Sequence, residues 1–200
     1  MKNFFLLLLL LIIPVNLLSG QNFTVHGGLA VSNVQFFVDT ASIEPNKKAG
    51  IFFGLDSEFE IAENLYLGIC TDYIQKGFRV KADTVILNDF TFKVNYVTIP
   101  VNIRYKFDLE DFWMTFEAGP YIGIGLNAKI KSAPDDVKVS FGGNEGELNL
   151  LDYGFNLGFG FEFEEVRFGI NYSNGLNNIA SSSKETMKNR CLTISLGVTL

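Results

Sequence analysis

Eight charged side chains are placed where they could do chemistry together: Asp56, Glu58, Asp72, Glu117 and Glu162 against Arg104, Lys106 and Arg167. Each falls on the polar side of a two-residue alternation whose other side is apolar, so all of them point to one face of a sheet. Charges of both signs confined on such a face must pair or stay hydrated. Pairing would produce a salt-bridged plug. Hydration would leave a gated, narrow ion path with Arg104 and Glu117 at its constriction.

The other candidates are few. His26 is the only histidine. It sits on the same polar parity, near the start of the first alternating segment. An enzyme would need a nucleophile, a base and an orienting carboxylate beside it, so His26 reads as a member of the same charged network. Ser32 and Ser195 share its parity, but no nucleophile motif surrounds them. Asp135-Asp136 and Gly142-Gly143-Asn144-Glu145-Gly146-Glu147 would offer oxygens to calcium. Their spacing fits no EF-hand or repeat loop, and a flexible, solvated loop is expected. Cys70 and Cys191 share a parity on strands expected to lie well apart, which leaves a disulfide open and gives no metal site. No catalytic residue, metal or cofactor is predicted.

These side chains need strands to hold them, and eight segments with a period near two supply them. They run over about Phe23–Ser32, Gly50–Ile61, Leu65–Gly77, Thr91–Phe107, Phe112–Ile130, Leu150–Phe163, Val166–Asn174 and Cys191–Leu200. The connections alternate. Ala62-Glu63-Asn64, Asp108-Leu109-Glu110-Asp111 and Glu164-Glu165 are short; Asn33–Ala49, Phe78–Phe90, Lys131–Asn149 and Gly175–Asn189 are long. Short turns on one side and long loops on the other characterise outer-membrane barrels.

Alternation alone does not separate such a barrel from a soluble one. The polar parity does, because it is crowded with glycine: Gly54, Gly68, Gly119, Gly123, Gly125, Gly154, Gly158, Gly160, Gly169 and Gly197. A water-facing surface would carry Lys, Glu and Thr instead, whereas a narrow lumen needs small residues beside large ones. Phe59, Phe107, Phe112 and Phe163 are expected to form a periplasmic aromatic belt, with Tyr73, Tyr153 and Tyr172 nearer the outer one. The closing strand Cys191–Leu200, apolar on one side and small on the other, fits a strand that seals such a wall.

The chain carries a formal charge of −6 and no basic patch interleaved with aromatics, so nucleic acid is not an expected partner. Lys2, the apolar run Phe4 to Leu18 and the small pair Ser19-Gly20 read as a secretory signal peptide over residues 1–20, cut at Gly20/Gln21, with Ser19/Gly20 as the competing site. An uncleaved anchor is the alternative, but Pro14 and Asn16 interrupt a run already short for a span. Residues 21–200 then form the barrel domain.

Val97-Thr98-Ile99-Pro100-Val101-Asn102-Ile103-Arg104-Tyr105 and Glu117-Ala118-Gly119-Pro120-Tyr121-Ile122-Gly123 resemble the porin-like PorT family of Bacteroidetes outer-membrane barrels. Leu151-Asp152-Tyr153-Gly154-Phe155, Gly158-Phe159-Gly160 and Asn171-Tyr172-Ser173-Asn174-Gly175-Leu176 fit the same pattern. The terminal Leu200 departs from the aromatic common at the end of outer-membrane proteins. The resemblance implies the barrel fold and little about activity, although one namesake is associated with type IX secretion.

Taken together, the residues and the resemblance predict a monomeric, eight-stranded, antiparallel, up-and-down transmembrane β-barrel in the bacterial outer membrane. It is expected to be non-catalytic and to contact outer-membrane lipid. The barrel-assembly machinery would be a partner during biogenesis, and a protein partner would bind at the extracellular loops. A narrow porin-like channel and an accessory factor for type IX secretion are the alternatives.

Overall fold

The computed structural model describes residues 21–38, 41–43, 45–80, 89–132, 136–142, 147–181 and 186–200; the segment read as a signal peptide lies outside them. The strands are β1 (Gln21–Val38), β2 (Ala41–Ile43), β3 (Asn46–Ala62), β4 (Leu65–Val80), β5 (Phe90–Asp108), β6 (Trp113–Ser132), β7 (Asp136–Val139), β8 (Leu151–Phe163), β9 (Val166–Gly175) and β10 (Thr186–Thr199). All pairings between them are antiparallel. The wall follows the order β10-β9-β8-β6-β5-β4-β3-β1 and closes through β10 on β1. The seam runs from Thr24 opposite Thr199 to Phe37 opposite Thr186. Eight strands therefore form a closed up-and-down barrel, with β2 and β7 as short additional strands paired to β1 and β6. Closure pairs the first wall strand with the last, as a lipid environment demands because no solvent satisfies a stray N–H there.

Alternation divides each strand between two surroundings. Leu192, Ile194, Leu196 and Val198 on β10, like Ile51, Phe53 and Leu55 on β3, lie exposed on the outside. Their neighbours Thr193, Asp56 and Glu58 are buried inside. Phe112 stacks on Phe163 with ring centroids 5.0 Å apart, and Phe107 meets Phe116 edge-on at 5.9 Å, both beside the short turns. Those turns each hold a residue other than glycine in the left-handed region: Asn64 (φ 62°), Glu110 (φ 67°) and Glu164 (φ 49°). That conformation lets the chain reverse within a few residues.

Several strands run farther than the apolar alternation indicates. β1 continues past Ser32 to Val38, β3 starts at Asn46 instead of Gly50, and β4 passes Gly77 to reach Val80. β6 ends at Ser132, and β10 begins at Thr186. Most of the stretch expected to be long loop at 33–49 is therefore strand. The reason is an inversion of sidedness. In these outer extensions the apolar residues face inward, as Val34, Phe36, Phe78, Phe92, Val94, Ala128, Ile130 and Met187 do. Polar residues such as Gln35, Arg79, Lys93, Lys129 and Lys188 occupy the alternate positions. Below this level the outer face meets hydrocarbon; above it the outer face is polar and the apolar side chains turn inward.

The third long connection is also more ordered than expected. β7 pairs with β6, and Phe141 and Leu148 form a bridge, with Leu148 bridging on to Ala180. Leu148, Ile179 and Ala180 are buried against the inward cluster, so loop side chains fill the barrel mouth. Asp135 and residues 143–146 lie outside the described residues.

Candidate functional site

The lumen is occupied in three tiers, each set by which residues the strands turn inward. The lowest holds most of the charged set. Arg104 on β5 places Nη1 2.7 Å from Asp56 Oδ2 and 3.2 Å from Glu58 Oε2, with Nε 2.5 Å from Glu117 Oε2. Arg167 on β9 reaches the same Asp56 oxygen at 2.7 Å, Glu58 at 3.1 Å and Glu162 at 3.3 Å. Lys106 bridges Glu58 at 2.5 Å and Glu162 at 2.8 Å, its ammonium over the Tyr66 ring at 4.7 Å from the centroid. Strands β3, β5, β6, β8 and β9 are thereby tied across the interior, and each cation is shared among two or three carboxylates. Mutual attraction at low dielectric offsets the cost of dehydrating so many ions only because the contacts are this close.

Asp72 is the member of the set that stands apart. It pairs instead with His26, whose Nε2 lies 2.7 Å from Asp72 Oδ1. Cys70 accepts a 3.5 Å contact from Arg104 Nη2, and both Cys70 and Cys191 are free, buried thiols. The inward glycines make this arrangement possible. A methyl group at Gly68 would collide with the Arg104 guanidinium, and one at Gly158 would meet Asn171 and Glu117.

A second tier lies outside the charged set that the sequence predicts. Lys76 Nζ lies 2.9 Å from Asp152 Oδ2, with side chains only 2% and 0% exposed. Tyr121 donates its hydroxyl to Asp152 Oδ1 at 3.2 Å, and Asn189 donates to Asp152 Oδ2 at 2.9 Å and to Tyr96 at 3.3 Å. The Lys76 ammonium also sits 4.7 Å from the centre of the Tyr121 ring. Parity could have found this pair: Lys76 shares the side of Asp72 and Asp152 that of Glu162. The third tier is the apolar mouth of Phe78, Phe92, Val94, Leu148, Ile179 and Met187.

A cavity of about 90 Å³ is lined by residues of the lower two tiers, among them His26, Asp72, Asn102, Glu117, Asn156 and Asn171. That is room for about three water molecules. Asp56 Oδ1, Asn102 Oδ1, Thr115 Oγ1, Arg167 Nε and Asn171 Oδ1 are buried without a partner in the protein, and their residues line this space. The arrangement suits hydration of a packed interior. Among the described residues no group of three or more His, Cys, Asp or Glu is placed to hold a metal ion.

A family model described as outer membrane protein beta-barrel domain matches residues 19–181. No curated protein matches the chain. Several solved structures are similar in fold. Ail of Yersinia pestis, solved with the heparin analogue sucrose octasulfate, is 15% identical with a TM-score of 0.47, covering 91% of this chain and 100% of that one. Neisserial surface protein A is 13% identical with a TM-score of 0.49, over 91% and 100%. OprG from Pseudomonas aeruginosa is 12% identical with a TM-score of 0.47, over 90% and 95%.

Proposed function

The chain belongs to the outer membrane protein beta-barrel domain family, and from that premise we propose that it is a non-catalytic barrel whose filled lumen serves as anchor and whose outward loops engage a protein partner. The protein resides in the bacterial outer membrane. The observation that carries the reading is the three-tiered lumen, where ions, a sealed Lys76–Asp152 pair and an apolar mouth succeed one another along the axis. An eight-stranded barrel has an interior just wide enough for side chains, and here side chains fill it. The loops are left as the variable surface on which recognition would depend.

The test is conductance in planar bilayers. The folded protein is expected to show no stable openings, and replacing Arg104 with methionine is expected to create none, because the apolar mouth remains. Steady openings of the natural protein that change with Arg104→Met would favour the narrow channel instead. The segments that resemble the PorT family lie against one another on β5 and β6, with Arg104 opposite Glu117 and Pro100 opposite Tyr121. An accessory role in type IX secretion predicts that deleting the gene blocks cargo export; unaffected export rejects it.

A further inference from the structure

Three cations stand in line on the outside of β5, β6 and β7. Lys93 is directly opposite Lys129, and Lys129 is directly opposite Lys138. Neighbouring strands lie about 4.8 Å apart, and like charges set opposite each other on one face are unfavourable. In the next row outward, Arg79 faces Thr91, Thr91 faces Lys131, and Lys131 faces Asp136. The ion pair Lys129 to Asp136 at 3.1 Å touches this patch. Among the described residues five cations share this face with two carboxylates, Asp136 and Asp89 just before β5, which leaves a positive surplus.

The height of the row identifies what it meets. On β5 the outward residues Val97, Ile99, Val101, Ile103, Tyr105 and Phe107 form an unbroken apolar run. At a rise of about 3.4 Å per residue and a tilt of about 40°, that run climbs roughly 26 Å, the height of an outer-membrane apolar band. Lys93 lies four positions farther out, about 10 Å above the band's edge by the same rise. It is also where sidedness inverts, with Phe92 and Val94 turned into the core. The row therefore sits in the headgroup layer of the outer leaflet, on the side facing lipid.

We propose that Lys93, Lys129 and Lys138, supported by Arg79 and Lys131, form a docking strip for the phosphate groups of phosphorylated glycolipids in the outer leaflet. An ammonium row spaced by adjacent strands can share phosphate oxygens through charge-assisted hydrogen bonds. The strip orients the barrel at a fixed depth and gives the β5–β6–β7 side a bound lipid shell. This inference rests on the outer-membrane placement of the chain.

The experiment titrates the folded, detergent-purified protein with bisphosphorylated lipid A and with the same lipid after phosphatase treatment, reading retained lipid by native mass spectrometry. The phosphorylated form is expected to bind at least about tenfold more tightly. The triple variant Lys93→Gln, Lys129→Gln, Lys138→Gln should weaken binding by roughly tenfold to a hundredfold while keeping heat-modifiable gel migration. Equal retention of the two lipids overturns the proposal, and that comparison needs no variant. Unchanged binding by the folded triple variant also overturns it. Displacement of lipid A by an equal concentration of inorganic phosphate would assign the strip to free phosphate and overturn the lipid assignment. Cell fractionation keeps the premise separate: a chain recovered in the soluble fraction defeats the membrane placement itself, whereas weak lipid A binding by an outer-membrane chain defeats only the strip.

Discussion

Arg104 is the more deeply buried of the two arginines that each meet three carboxylates, its own being Asp56, Glu58 and Glu117 within 3.2 Å. Removing one partner from a buried ionic cluster leaves uncompensated charge, which costs about 3–5 kcal/mol. Arg104→Met is therefore expected to lower the unfolding free energy by that amount in denaturant titrations in lipid. Lys129→Met breaks the exposed pair with Asp136 and should cost less than about 1 kcal/mol. Equal losses from the two would show that the lumen network contributes no more than a surface pair. Gly68 supplies an independent probe, because an added methyl meets the Arg104 guanidinium. Gly68→Ala should destabilise by about 1–3 kcal/mol through overpacking, and pairing it with Arg104→Met should remove most of that penalty. The charged set itself was legible in the sequence, because parity alone placed all of its members on one side. Which carboxylate met which cation was not legible: Asp72 pairs with His26 and takes no part in the arginine cluster.

Individual strands change character along their length. On β5 the outward side is apolar from Phe107 to Val97 and cationic at Lys93, while the inward side passes from Lys106 and Arg104 to Val94 and Phe92. The inversion predicts opposite responses to polar substitution at the two levels. Phe92→Ser, in the upper core, should cost on the order of 3–5 kcal/mol, while Lys93→Ser beside it should stay within about 0.5 kcal/mol. At mid-wall, outward Ile194→Arg should cost about 2–4 kcal/mol because its neighbour is hydrocarbon. Unfolding midpoints of the three variants check the pattern; a tolerant Phe92 would contradict the buried mouth. The same inversion explains why the strands extend past the ends that apolar alternation predicts. One constant apolar parity loses the strand wherever the surroundings switch from hydrocarbon to polar headgroups and water.

Charge is distributed unequally between the two ends of the molecule. The three short turns carry Glu63, Asp108, Glu110, Asp111, Glu164 and Glu165 and no Lys or Arg. The outer extensions of β4, β5, β6 and β7 carry Arg79, Lys93, Lys129, Lys131 and Lys138. Short turns face the periplasm in barrels of this kind, which directs the acidic rim inward and the cationic rim toward the outer leaflet. Cysteine labelling tests the orientation against the background of two buried thiols. A membrane-impermeant maleimide should label Ser140→Cys in intact cells and Glu63→Cys only after the outer membrane is permeabilised. The reverse pattern would invert the barrel.

By itself the sequence determined the strand count, the three tight turns, the identity of the lipid-facing residues and the inward location of the charges. Each follows from a local rule: side chains alternate along a strand, and lipid tolerates only apolar ones. Tertiary structure alone decided the rest. The Lys76–Asp152 pair joins β4 to β8 across the lumen, and Leu148 and Ile179 leave their loops to fill the mouth. The cationic row forms only when register brings Lys93, Lys129 and Lys138 level. All three depend on how strands distant in the chain align around a closed wall, and shear and register are collective properties that no single segment encodes.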